Sequence, residues 1–259
     1  MNTKDDGSSV TEAVIGNILN TRFDDIDKET VDNTKRRILD MVGDAVAGAK
    51  CDGNPGLAEL VGGWGGKKEA TMMGFGYQGP VTDIAFVNCI FGRSFDRGPL
   101  TYVIDGQRSP NHITETSALT ALAIGESKGI SGKELITALV VGDDLAARLH
   151  IAVDRAQPGQ ALPPGTPPAP PARGSEEAFA ATAVTGRILG LNADQMKNAF
   201  GISTMLRGGG GGGMPGGGGG AAVPGRGPSG SPAARSTPSA AQTITGLTPG
   251  WLGVKTRLS

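Results

Sequence analysis

The residues best suited to chemistry fall in two short strings. Arg93-Ser94-Phe95-Asp96 ends an apolar stretch with a carboxylate, and Asn111-His112 opens the next helical pattern with an imidazole. A helix N-terminus disfavours positive charge, which suits an uncharged imidazole base. The loop between the strings can fold back so that Asp96 and His112 line one cleft. Such a pair suits proton abstraction next to a carboxylate or carbonyl. Arg93 is a candidate for holding a substrate carboxylate, because a guanidinium binds one bidentately. The plainer reading of His112 is a residue that merely starts a helix.

The other polar groups read as structural. Lys67-Lys68 and Glu69 look like a solvated turn. Asp143-Asp144 with Arg148 makes an i,i+4 pair expected on a helix surface. His150 follows Arg148 at an expected helix end, where cations are favoured. The glycine run from Gly208 has no following Gly-Lys-Ser/Thr and follows no strand, so it is not a phosphate loop. Arg207-Gly208-Gly209 is a single copy without aromatic neighbours, which argues against an RNA-binding tail.

Helices must position the two strings. Ser9 with Glu12 three residues on forms a capping box for a first helix bearing Val10, Val14, Ile18 and Leu19. Asp27 opens a second helix, with Val31, Ile38, Met41, Val42 and Ala45 on one face and Lys35, Arg36 and Arg37 largely off it. Gly48 and the run from Cys51 to Pro55 end it. A short helix is expected over residues 57–61 and a glycine loop over 62–66. Residues 69–75 are the one good strand candidate, closed by Gly79-Pro80. Residues 81–95 are apolar enough for a buried helix, and 96–111 read as a polar loop. His112 starts a helix to about Lys128. Ser131 caps another, through Leu149, packed antiparallel to it across a tight connection. Ser175 caps a helix that ends at Gly190, and Asn192 starts the next, through Phe200.

Composition bounds the rest. The chain has 259 residues, 24 Lys+Arg against 25 Asp+Glu, and a net charge of -1. That balance gives no basic footprint for nucleic acid. No apolar run approaches the length of a membrane span. Residues 1–9 carry no apolar signal core, which makes the cytoplasm the default expectation. Two cysteines and two histidines leave no spacing for a metal cage, so no metal or other cofactor is expected. The 43 glycines and 17 prolines are concentrated: seven prolines lie between Pro158 and Pro171, and eleven glycines in 208–213 and 216–220. The Pro-rich segment cannot be helical and donates few backbone hydrogen bonds, and the stretch from Gly208 to about Pro238 cannot bury enough surface to offset its ordering entropy.

Several strings, in this order, resemble the MmgE/PrpD (2-methylcitrate dehydratase) family. They are Ala45-Val46-Ala47-Gly48, Gly92-Arg93-Ser94-Phe95-Asp96, and Asn111-His112-Ile113 running into residues 118–123. Residues 129–148, "GISGKELITALVVGDDLAAR", and 186–195, "GRILGLNADQ", continuing to Gly201-Ile202, complete the set. The resemblance covers residues 10–150 and 176–206.

The resemblance implies an all-α fold, the helical domain of this family, with the family's smaller α+β domain missing. The implied divisions are a tail at 1–8, helical parts at 9–150 and 175–206, a Pro-rich segment at 151–174, and a Gly/Pro-rich region with the C-terminal tail at 207–259. It also implies a metal-independent lyase acting on small di- or tricarboxylates in propionate metabolism, and a homodimer. His112 takes the role of the family's loop histidine, and Asp96 that of the first residue of its Asp-Phe-Asp-Asp-like loop; Arg97 and Gly98 replace the residues that follow. Dehydration, decarboxylation of cis-aconitate and epimerisation of iminodisuccinate share carbanion chemistry and are not separated. The family's lysine-bearing segment falls where residues 208–250 hold no lysine, so weak or absent activity is expected. A non-catalytic dimerisation module or pseudoenzyme is the rival class.

Overall fold

The computed structural model describes residues 9–98, 101–104, 106–110, 112–156 and 176–206. Residues 1–8, the Ser175 cap, the Pro-rich run at 157–174 and the tract at 207–259 lie outside the described residues.

Among the described residues the chain is predominantly helical, as an all-α reading requires. Helix α1 (Val10–Asn20) opens with the expected capping box: the Ser9 N–H donates to Glu12 Oε2 at 2.9 Å, and the Glu12 N–H to Ser9 Oγ at 3.2 Å. A 3-10 turn at Phe23–Asp25 leads to α2 (Lys28–Gly48). Asp27 caps α2 by accepting the Thr30 N–H at 2.9 Å. Then follow α3 (Asn54–Trp64), the two-residue strands β1 (Ala70–Thr71) and β2 (Gln78–Gly79), and α4 (Val81–Arg93). An antiparallel hairpin of β3 (Thr101–Ile104) and β4 (Gln107–Pro110) precedes α5 (Ile113–Lys128). Helices α6 (Gly132–Ala156), α7 (Glu176–Ile188) and α8 (Ala193–Leu206) complete the order.

Helix α5 lies in the middle, packed against α4, α6 and α7. Its Ala118, Leu119 and Ala121 are fully buried. One core joins α2, α3, α4 and α5 through Met41, Val61, Ile84, Phe91 and Leu119. A second joins α1, α6, α7 and α8 through Ile18, Leu145, Phe179 and Phe200. A third lies under the hairpin, around Tyr102, Ile104, Ile113 and Val140.

Several expectations need correction. The strand read over 69–75 shrinks to Ala70–Thr71, because the chain turns at once: Gly74 and Gly76 adopt φ of 80° and 68°, and the Met73 N–H is taken by Asn88 Oδ1 at 2.9 Å. The short helix at 57–61 extends over Asn54–Trp64, since Asn54-Pro55 starts it instead of ending α2. The Asn54 amide is buried and donates to the Gly48 carbonyl and to Ser94 Oγ. The apolar stretch from Val81 is buried on one side only, with Phe86 55% exposed. Helices α6 and α8 run past Leu149 and Phe200 to Ala156 and Leu206.

The charged groups of α6 also differ from a surface reading. Asp143, Asp144, Arg148 and His150 are all buried. The Asp144–Arg148 pair forms, with Arg148 Nε donating to both carboxylate oxygens at 3.0 and 2.8 Å, but inside the fold. His150 is within the helix and not at its end.

Candidate active site

The site is built where α4 ends and α5 begins. Helix α4 stops at Arg93, and the Asp96 N–H donates back to the Arg93 carbonyl at 3.1 Å. Asp96 itself takes a left-handed backbone, φ 53°, a conformation that Asp tolerates better than most residues and that clusters at functional sites. Gly98 then passes so close to α5 that an added methyl would lie 2.8 Å from the Glu115 carboxyl carbon.

Between Asp96 and His112, where a polar loop is expected, the described residues include the β3–β4 hairpin. Tyr102 of β3 is fully buried, and its hydroxyl donates to Asp143 Oδ2 and meets Thr114 Oγ1. Ser117 Oγ donates to Asp143 Oδ1 at 2.6 Å. Burial pushes the Asp143 carboxyl above its ordinary range, opposed by these hydroxyls and by Arg37. Burial, then the Asp143 charge, pushes the Tyr102 phenol well up, so it stays a donor. Arg37 of α2 covers the Tyr102 ring at 4.1 Å and donates to the Thr101 carbonyl at 2.9 Å. The hairpin is therefore tied to α2, α5 and α6 together.

With its connection held, the loop brings its two ends together. His112 is the N-cap residue of α5, and its Nε2 lies 3.9 Å from Asp96 Oδ1. Its Nδ1 lies 2.9 Å from Glu115 Oε1. Glu115 is 2% exposed, and Arg93 Nη1 donates to its other oxygen. Arg93 is also 3.4 Å from Asp96 Oδ1. The three residues singled out in the sequence, Arg93, Asp96 and His112, thus share one cluster. Arg93 is not an isolated cation awaiting a ligand: its Nη1 is engaged by Glu115, although the side chain remains 46% exposed.

Sequence reasoning missed Glu115, which joins the cluster. The available signal was its position, an acid three residues into the helix that His112 opens. It also missed Glu177, which reads in sequence only as a first-turn acid of α7. Burial raises the Glu177 carboxyl above its ordinary value, against the attraction of Arg93 and with help from Glu176.

Arg93, His112, Glu115 and Glu177 line a cleft of about 700 Å³, within the usual size of small-molecule sites; Asp96, expected to line it with His112, is not among the lining residues, and its side chain is 74% exposed beside them. Phe86, Cys89 and Ile90 of α4 make an apolar wall, and Arg93, His112, Glu115 and Glu177 a polar one. Burial pushes the Cys89 thiol up, so it lines the wall as an uncharged group. Among the described residues, no group of three or more His, Cys, Asp and Glu is arranged to hold a metal ion. No described helix is long and apolar enough to cross a membrane.

A helical fold with an acid–imidazole cluster, whose His112 and Glu115 line a cleft between α4, α5 and α7, defines a class of domain. The chain matches the MmgE/PrpD N-terminal domain over residues 16–211, and it belongs to the MmgE/PrpD family, a family of dehydratase and lyase type. No curated protein matches the chain.

Proposed function

We propose that this cleft performs metal-independent elimination or addition of water on a small di- or tricarboxylate, as a 2-methylcitrate dehydratase-like carbon–oxygen lyase. The observation that carries the reading is the approach of His112 Nε2 to Asp96 Oδ1 at 3.9 Å, with His112 lining a 700 Å³ cleft. His112 takes the proton next to the carboxylate and returns it in the reverse direction. Asp96 binds the departing hydroxyl beside Nε2, and Arg93 supports a substrate carboxylate from the cleft wall. The charge that develops on the substrate needs preorganised donors. Two of the cleft's polar groups, Glu115 and Glu177, are acids, and Arg93 is the guanidinium that lines it. Decarboxylation or epimerisation begins from the same proton abstraction and fits the same cluster.

The reading includes cytoplasmic, propionate-linked metabolism and a second copy of the chain as partner. Support for the partner comes from family membership and from exposed apolar side chains such as Leu39 at 72% and Ile202 at 65%. Light scattering at tens of micromolar tests it, and a monodisperse monomer counts against it. The test of the activity is ultraviolet absorbance of the unsaturated product with 2-methylcitrate, citrate or cis-aconitate. His112→Ala should slow turnover about 100-fold or more. Turnover unchanged by that substitution removes His112 from the mechanism, and a folded chain without turnover on any of the three favours a non-catalytic module.

A further inference from the structure

We infer that Glu115 is the positioning residue of this site: it holds His112 as the Nδ1–H tautomer, so that the unprotonated nitrogen of the neutral ring is Nε2, the one beside Asp96. The inference deepens the reading of His112 as the base, and rests on that reading for its consequence.

Two observations combine. His112 Nδ1 lies 2.9 Å from Glu115 Oε1. Arg93 Nη1 donates to Oε2 of the same carboxylate, and a guanidinium can only donate. An ionised carboxylate only accepts, so the proton in the 2.9 Å contact belongs to the ring. A neutral imidazole carries one N–H, and the bond made by one nitrogen decides the state of the other. Nε2 is then left with its lone pair on the side of Asp96.

Glu115 cannot easily adopt another arrangement. It is 2% exposed, and Gly98 backs onto it so closely that a methyl added there would lie 2.8 Å from its carboxyl carbon. It sits at the third position of α5, one turn from the ring it holds. Arg93 reaches it from α4, so the clamp forms only when the two helices are packed. A free imidazole in water prefers the opposite tautomer, with the proton on Nε2; in that form the nitrogen facing Asp96 would be a donor and could not abstract a proton.

The experiment is nitrogen-15 correlation spectroscopy of the histidine rings in the full chain, read at the alkaline plateau of a pH titration. The chain has only two histidines, His112 and His150, and His112→Asn assigns the signals. The expected result is a protonated Nδ1 and an unprotonated Nε2 for His112, with loss of that preference in Glu115→Leu. A wild-type ring protonated on Nε2 overturns the inference. So does a ring that keeps its Nδ1 proton in Glu115→Leu, which has no acceptor there, since Glu115 would not then set the tautomer. If Glu115→Leu does not fold, the wild-type spectrum decides alone. No substrate is needed, so failure here leaves the lyase reading intact, and failure of the absorbance assay leaves this one intact.

Discussion

Replacing Gly48 by alanine sets two effects against each other, and their magnitudes decide the outcome. Gly48 is the last residue of α2, where that helix crosses α4. A methyl there would lie 2.8 Å from the carbonyl carbon of Phe91, nearer still to its oxygen, and 3.2 Å from Ser94 Cβ. Carbon atoms attract best at about 3.5 Å or more, so the helices would have to separate by about 0.7 Å or more. The obstacle is backbone, which cannot rotate aside as a side chain would, and Phe91 is itself fully buried. Overpacking of this kind costs about 1–3 kcal/mol. Helix propensity favours alanine by at most about 1 kcal/mol, less at a helix end. The expected result is a net loss of about 2 kcal/mol, seen in urea unfolding followed by far-UV circular dichroism. The internal control is Gly43, exposed on the same helix with nothing within 4 Å of an added methyl. Gly43→Ala should gain up to about 1 kcal/mol. A Gly48→Ala chain as stable as the parent would mean that α2 and α4 are not in close contact there, and would refute the packing on which the position of Arg93 depends.

Two further outcomes follow from the buried polar groups. Tyr102→Phe removes a hydroxyl shared by Asp143 and Thr114 while keeping the ring under Arg37. Hydrogen bonds to charged groups contribute about 1.5–3 kcal/mol, so melting should fall by about 3–12 °C at 2–4 °C per kcal/mol; an unchanged melting temperature would show that the Tyr102 hydroxyl contributes nothing to holding the hairpin. Glu177→Gln tests the raised carboxyl. A carboxyl whose folded value lies above its unfolded value binds its proton more tightly when folded. The resulting stability is present below the ordinary glutamate value of 4.5 and is lost as pH rises through the raised one. The glutamine variant lacks that loss, so its stability relative to the parent should increase with pH across this window. A difference that is flat with pH would refute the raised value.

Much of the scaffold was legible because it is local. Ser9, Asp27, Ser131 and Asn192 each announce a helix through a side chain that reaches only three residues along. The pairing of Asp96 with His112 was legible for a related reason: one ends a helix, the other starts the next, and the connection is long enough to return. The hairpin was not legible. Its strands contain Arg108 and Pro110, and a single aromatic, Tyr102, carries most of its attachment. The acceptor for that tyrosine is 41 residues away, and nothing around Asp143 in the sequence distinguishes a buried acceptor from half of a surface ion pair. Glu115 was obscured by chemistry, because its clamp needs Arg93 from another helix.

The tie between Tyr102 and Asp143 also constrains the order of assembly. A chain synthesised from its N-terminus presents α4, the hairpin and α5 before α6 exists. At that stage Arg37 and Thr114 are available to the hairpin, but the carboxylate that Tyr102 shares with Ser117 is not. Contacts that close long stretches of chain form late, because their loop entropy must be met before they stabilise anything. The hairpin between Asp96 and His112 gains its last tie only when α6 docks, so a growing chain has a helical scaffold before that tie is made.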